Sequence, residues 1–365
     1  MGKMKMLNLE DKEWKEFFIK DIFIILKEKS VIQVPTGAYI NKEKLKKGIT
    51  PRITVSSKNN GIDGYYSSTD KNYRTYVNFI SVSFLGTVFY HPYEASIDMK
   101  VHCLKIIGKE LNFYLAQFLV PEIKKNLENA SYGNQISSTD LPTKKIILPI
   151  NKKNEPDFEY MEQYTKLLMK RKLDDYKKYA KKVLVDLEFK EIEPLDNKEW
   201  KEFFLTEIFD KIQRGKRLTK SNQKMGSIPY ISSTASTNGV DNFISNKNGV
   251  RVFSDCLTIA NSGSVGASFY HPYDFVASDH ITHLKNEELN EFVYLFIATL
   301  TNRFSGKYNF NREINDLRIS REKILLPINS EDTPDYAYME QYIINMKHKK
   351  IKQYLDYLEK QKKDS

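Results

Sequence analysis

Cysteine is nearly absent. The chain holds two, Cys103 and Cys256, too few for a disulfide framework or a four-cysteine zinc site, and a reducing cytoplasm is the natural compartment. Long hydrophobic runs are missing as well: no stretch of about 18 apolar residues occurs, which excludes a transmembrane helix and predicts no membrane partner. Met1-Gly2-Lys3-Met4-Lys5 has no apolar segment of signal-peptide length behind it, so a cytoplasmic protein is expected. There is no Gly-x-x-x-x-Gly-Lys-Ser/Thr loop, and Asn261-Ser262-Gly263-Ser264-Val265-Gly266 lacks the Gly-x-Gly-x-x-Gly spacing of a dinucleotide site. No Pro-Pro dipeptide exists, so the Asn/Asp-Pro-Pro-aromatic motif of amino-methyltransferases is missing. Acidic residues are outnumbered, 47 against 57 Lys and Arg, and the net charge of +10 favours a polyanionic partner.

What is present is a duplication. Glu13-Trp14-Lys15-Glu16-Phe17-Phe18 recurs as Glu199-Trp200-Lys201-Glu202-Phe203-Phe204, and these hold the only two tryptophans. Tyr90-His91-Pro92-Tyr93 recurs as Tyr270-His271-Pro272-Tyr273. Ile147-Leu148-Pro149-Ile150-Asn151 answers Leu325-Leu326-Pro327-Ile328-Asn329, and Tyr160-Met161-Glu162-Gln163-Tyr164 answers Tyr338-Met339-Glu340-Gln341-Tyr342. The tryptophans are 186 apart, whereas Gly37 and Gly215, Asn60 and Asn238, and Pro149 and Pro327 are each 178 apart. The first copy therefore carries about eight extra residues between Phe23 and Gly37, a loop insertion. A period of about 180 residues is far too long for a solenoid. It is a duplicated domain, and the copies are expected to be related by a pseudo-two-fold axis.

Each copy reads as an α+β unit in two parts. The first part is mixed and mostly β, punctuated by turns at Asn59-Asn60-Gly61 and Thr237-Asn238-Gly239. Leu111 to Leu119 and Leu289 to Leu300 read as short apolar helices, and Ile146 to Pro149 and Ile324 to Pro327 as short buried strands ended by proline. The second part is a helix of about 30 residues, roughly 45 Å long. It runs from about Asp157 to Phe189 and again from about Asp335 to Gln361, with Pro156 and Pro334 as start signals. Apolar positions at spacings of three and four predict that the two helices pair. The expected boundaries are a first domain over 11–155, a helix over 156–190, a linker over 191–197, a second domain over 198–333 and a second helix over 334–363.

Catalytic signals are weak. Pro156-Asp157 followed by Asp175-Tyr176-Lys177 matches a nuclease pattern formally, but that chemistry needs carboxylates on adjacent strands around a metal, and these lie on one periodic helix. His280 and His283 lack a third ligand at useful spacing, so no metal site is expected. His91 and His271 have no identifiable nucleophile or carboxylate relay, and their repetition points to a structural role such as a side-chain bond to the backbone. No catalytic residue is assigned.

The polar turns offer DNA chemistry instead. Arg214, Lys216, Arg217 and Lys220 surround Gly215, which permits close backbone approach. Arg52, Lys58, Asn59 and Asn60 in the first copy and Asn238 in the second lie in or near matched turns. Late in each copy come Asn134 and Gln135, then Lys307, Asn309, Asn311 and Arg312. Arg, Asn and Gln can make bidentate bonds to base edges, and Lys grips phosphate. Turn chemistry alone explains the composition of any single cluster. The copies nonetheless agree in framework and differ at these loops, as a reader of two different short sequences requires.

With these features in order, the sequence resembles the DNA-specificity subunit family of type I restriction–modification systems and the related separate specificity subunits of type IIB systems. The resemblance covers about residues 11–365. It rests on Trp200 to Phe209, Gly215 to Lys220, Ile228-Pro229-Tyr230-Ile231-Ser232, Asn238-Gly239-Val240, Asn134-Gln135-Ile136 to Asp140-Leu141, and Ile147 to Ile150. It implies two target-recognition domains, each reading half of a split site in double-stranded DNA, with an antiparallel helix pair setting the spacing. It implies no cofactor in this chain. The partners would be two modification subunits that bind S-adenosylmethionine and methylate adenine N6, while a restriction subunit or fused nuclease domain cuts. The competing expectations are a DNA-cutting enzyme with an unrecognised metal site and a scaffold that does not bind DNA.

Overall fold

A computed structural model describes residues 7–363. The chain divides into two compact units, Met1–Tyr176 and Lys177–Ser365, whose boundary falls inside the first long helix rather than in the 191–197 stretch.

The repeated motifs meet in space. Strand Trp14–Phe18 pairs antiparallel with Lys145–Pro149, from Trp14 opposite Pro149 to Phe18 opposite Lys145. Strand Trp200–Phe204 pairs with Lys323–Pro327 in the same register. The prolines close the short strands, where a missing N–H does no harm. Each pair is backed by an apolar helix, Phe113–Lys125 and Glu291–Thr301, capped by Asn112 and Asn290. The first runs six residues beyond its expected end at Leu119, through Pro121.

The rest of each first part is β. In the first unit five strands lie in the order Ile62–Ser67, Lys46–Ile53, Val88–Ile97, Thr75–Ser83, Val101–Leu104. The second unit breaks the same plan into two four-stranded sheets. One kink is common to both copies, and strand Thr75–Ser83 runs through it in the first unit whereas the matching strand is interrupted there in the second. Asn78, at φ 52°, sits at the register shift between Val77 and Phe79. Asp255, at φ 48°, separates strand Val252–Phe253 from strand Cys256–Ala260. Tyr90 donates to Asn78 at 2.9 Å and Tyr270 to Asp255 at 2.6 Å, so the repeated tyrosine holds the kinked residue. The eight extra residues of the first copy form a small hairpin, Leu26–Glu28 with Val31–Gln33.

The long helices span Phe158–Asp186 and Tyr336–Lys363. Each starts one residue after its expected aspartate; the first stops three residues short of Phe189, and the second runs two past Gln361, to residue 363. Their first turns are sunk in the cores: Met161 and Met339 are fully buried, among Ile146, Leu148 and Leu119 in one unit and Ile324, Leu326 and Ile297 in the other. Asp157 accepts from the Tyr160 N–H at 3.0 Å and also from Lys12 Nζ at 2.6 Å. Asp335 repeats both bonds, with Tyr338 at 3.0 Å and Lys198 at 2.9 Å. An aromatic ladder follows: Trp14 stacks on Phe118, Phe118 meets Tyr164 edge-on, and Tyr164 stacks on Tyr160. Trp200, Phe296, Tyr342 and Tyr338 copy it.

The two Tyr-His-Pro-Tyr motifs are structural, but their bonds go to hydroxyls and not to backbone. His91, fully buried, binds Ser81 at 2.8 Å and Tyr93 at 3.3 Å. His271 binds Thr258 at 2.9 Å and Tyr273 at 3.3 Å. Burial pushes both imidazoles down to about 4. Below the ordinary value of 6.5 the unfolded chain takes up protons that the folded chain refuses.

Two outcomes are expected. Stability from these histidines is complete above pH 6.5 and declines as pH falls toward 4, each adding a slope of up to about 1.4 kcal/mol per pH unit. Urea melts between pH 7 and 5 measure it, and a His91→Gln/His271→Gln double variant that keeps the full slope would refute the assignment. The second concerns Gly215, where an added Cβ would lie 2.2 Å from the Ser278 carbonyl oxygen and 2.3 Å from that of Ala277. Gly215→Ala should cost about 2–4 kcal/mol, whereas Gly306→Ala, which faces open space, should stay within about 0.5 kcal/mol in the same thermal melts.

Candidate nucleic-acid interface

The basic loop of the second unit leaves strand Lys211–Arg214 and turns at Gly215. The close approach made by this glycine is to its own chain, at Ala277 and Ser278, and not to a ligand. Gly37 does the same against Ile97 and Asp98. Beyond the glycine, Lys216, Arg217 and Lys220 are exposed, and among the described residues no ion pair or side-chain hydrogen bond engages them. Arg214 is different. Its guanidinium lies 2.5 Å from the Asp316 carboxylate, a charge pair rather than an aligned hydrogen bond, and it donates to the Ile314 carbonyl at 2.9 Å. Arg214 is therefore a brace, joining the basic loop to the segment after residue 312.

That brace has a counterpart of other chemistry. In the first unit the equivalent carbonyl, Ile136, is bonded by His102 at 3.0 Å. His102 is 3% exposed, and burial lowers its pKa. The sequence reading missed a second brace shared by both copies. Arg251 donates to the Arg214 carbonyl at 2.6 Å, and Arg74 donates to the Thr36 carbonyl at 3.2 Å. The signal was available: Arg74 and Arg251 stand 177 apart, and Thr36 and Arg214 178 apart.

Arg52 is not a surface contact. It is 3% exposed, with its guanidinium 2.7 Å from Asp98, because strand Lys46–Ile53 turns that side chain inward. Its Nη1 has no hydrogen-bond partner among the described residues, and Arg52 lines a cavity of about 740 Å³ with Tyr39, Asp63 and Tyr66. Lys58, Asn59 and Asn60 are exposed on the first matched turn and Asn238 on the second. Asn59, Asn60 and Asn238 adopt φ of 49°, 50° and 52°, so the turn itself already accounts for asparagine there.

The late loops are tight hairpins. Ser131 and Asn134 bridge each other, as do Asn309 and Arg312. Asn134 and Gln135 turn their amide donors inward, to the carbonyls of Asn129 and Tyr132, both at 3.1 Å. Asn309 accepts from the Asn311 N–H at 3.0 Å. Lys307 is drawn to the buried Glu322 at 2.8 Å, so part of its charge is neutralised. Glu322 also accepts from Tyr308, whose phenol burial and that carboxylate push up to about 12. Arg312 lies over the Tyr308 ring at 5.3 Å and keeps its charge outward. In the second unit these pieces converge. Ala235 of the turn, Gly263 and Ser264, and Asn309 and Phe310 of the hairpin line one cavity of about 390 Å³.

Catalytic and metal readings gain nothing from the geometry. Asp157 is a helix cap, while Asp175 lies inside the helix, roughly 27 Å further along. His283 is buried against the Gln213 carbonyl at 2.8 Å, and His280 binds Ser262 at 2.6 Å. Among the described residues no group of three or more His, Cys, Asp or Glu side chains could hold a metal ion. No described helix is long and apolar enough to cross a membrane.

The chain matches the type I restriction modification DNA specificity domain twice, over residues 11–176 and 197–356. It belongs to that family. The specificity subunit is the DNA-recognition member of a restriction–modification system, not its catalyst. Over 346 residues the chain is 30% identical to the Type II restriction enzyme BgcI specificity subunit S.BcgI of Heyndrickxia coagulans, covering 93% of this chain and 96% of the relative. The crystal structure of a type I restriction–modification S subunit from M. genitalium shares the fold, with a TM-score of 0.50 at 18% identity over 97% of this chain and 94% of the other.

Two exposed cations of the basic loop in this specificity subunit should behave differently. Arg217→Ala is expected to lose about 1–3 kcal/mol of discrimination at one half-site, as for a guanine-reading arginine. Lys220→Ala should weaken all sequences alike and lower the salt slope by about 1. Binding isotherms on the true site and on single-base variants at two salt concentrations measure both. If neither variant differs from wild type, this loop is not at the DNA.

Proposed function

We propose that this chain reads a bipartite site in double-stranded DNA, with residues 11–155 on one half and 198–333 on the other. The observation that carries this is the contrast between the copies. Their strand pairs, caps, ladders and buried histidines coincide, while the residues after Gly37 and Gly215 diverge from Ala38-Tyr39-Ile40-Asn41 to Lys216-Arg217-Leu218-Thr219. In this reading the helices over 156–190 and 334–363, joined by the 191–197 linker, pair antiparallel and set the distance between half-sites. Buried Ala180, Leu187, Ile343 and Ile351 on or beside the helices support a packed apolar stripe. The DNA-contacting residues are Lys58, Lys216, Arg217, Lys220 and Arg312, with Asn59, Asn60, Asn238, Asn309 and Asn311 on the adjoining turns. The chain recruits two modification subunits, which carry S-adenosylmethionine and methylate adenine N6, and a restriction subunit or fused nuclease domain cuts. It works in the cytoplasm.

Co-expression with the modification subunit, followed by mapping of methylated adenines across a genome, tests the proposal. A split motif is expected. Replacing residues 11–155 with those of a relative should change one half of that motif and leave the other intact. A swap that alters both halves, or methylation at an undivided motif, would overturn independent readers.

A further inference from the structure

Tyr132 and Phe310 are the tips of the two late hairpins. They stand 178 apart in sequence, the framework offset, and are 77% and 76% exposed. Around them the copies differ: Ser131, Gly133 and Asn134 in the first stand where Asn309, Asn311 and Arg312 stand in the second. Only the aromatic character of the tip is shared. Each tip is held rigidly. The Ser131–Asn134 pair exchanges both backbone bonds at 3.1 Å, and the Asn309–Arg312 pair exchanges them at 3.3 and 2.9 Å. Just past each hairpin the chain hangs on an equivalent carbonyl, Ile136 on Phe84 and Ile314 on Asn261, both at 3.0 Å.

An aromatic ring kept in water by two independent copies, on a braced two-residue turn, needs an occupant. A protein surface would call for a contiguous apolar patch. Along each hairpin no such patch forms: every other residue from 131 to 135 and from 309 to 313, Ala130 and Ile136 lying outside, is polar or glycine and exposed. The surroundings are basic. Lys100 lies over Phe84, which meets the Tyr132 ring edge-on, and within ten residues of Phe310 the cations Arg303, Lys307, Arg312 and Arg318 outnumber the acids Glu313 and Asp316. A lone ring amid cations and amides suits a base stack, where every base offers a π-face whatever the sequence. Resting on the DNA-reading assignment above, we propose that Tyr132 and Phe310 insert against the base stack, one in each half-site, as sequence-independent wedges beside the sequence-reading loops.

The test uses the complex with its modification subunit and duplexes bearing 2-aminopurine at single steps of either half-site. Wild type should raise fluorescence at one step in each half. Tyr132→Ala should abolish the rise in one half only, and Phe310→Ala in the other, each weakening binding about 5- to 150-fold. Tyr132→Phe and Phe310→Tyr should keep both signals. Unchanged fluorescence in both alanine variants, with wild-type affinity, overturns the wedge while leaving bipartite reading intact. Alanine variants that fail to co-purify with the modification subunit overturn it in favour of a protein contact. A wild-type complex that binds no split site overturns the reading beneath it.

Discussion

One carboxylate in each copy does two things at once, and the architecture depends on it. Asp157 caps the long helix through the Tyr160 N–H and grips Lys12 from the segment before the first strand; Asp335 does the same with Tyr338 and Lys198. A cap alone fixes where a helix begins. A cap that is also ion-paired to the strand-entry segment fixes the direction in which the helix leaves. The lysines lie over Tyr160 and Tyr338, both at 4.8 Å, so the charge sits between a carboxylate and a ring. Those tyrosines close the circuit by donating to the carbonyls of Asn8 and Glu193 at 2.8 Å. Strand entry, strand pair and helix base thereby form one collar, built twice from the same residues.

The collar was legible in the sequence because its parts recur. Trp14 and Trp200, Pro149 and Pro327, Met161 and Met339 announce themselves by repetition, and the structure sets each tryptophan opposite its proline and buries each methionine among the residues of that strand pair. The proline-acid start of each helix was equally plain, since propensity and capping point the same way there. The helix ends were less so. Lys-rich sequence after Tyr176 carries a helical period past the point where the backbone stops at Asp186, and no glycine marks the exit.

The candidate site was legible only in outline. Reading by residue type cannot tell a cation that faces water from one that braces the chain. Arg52 and Arg214 are arginines in polar, turn-rich stretches, yet one is buried on Asp98 and the other bound to Asp316 and Ile314. Their partners lie 46 and about 100 residues away in sequence, so no local pattern reveals them. Asn59, Asn60 and Asn238 were read as candidate contacts, and their left-handed backbone supplies a second reason for asparagine at each. The exposed rings at Tyr132 and Phe310 went unread because a single aromatic in a turn gives no periodic signal.

Gly37 and Gly215 divide the chain into what is fixed and what is free. Each is pressed against the carbonyls of the strand end at Ile97–Asp98 or Ala277–Ser278, leaving no room for a side chain. Immediately upstream every residue is committed to pairing or bracing. Immediately downstream the side chains of Tyr39 in one copy and Lys216 and Arg217 in the other are exposed, and one residue further Ile40 and Leu218 turn back to pack. Substitutions at the exposed positions, Tyr39 in one copy and Lys216 and Arg217 in the other, therefore alter the outward chemistry without loosening the core. The fold thus confines the consequences of mutation, and a lineage can try new recognition surfaces on an unchanged body.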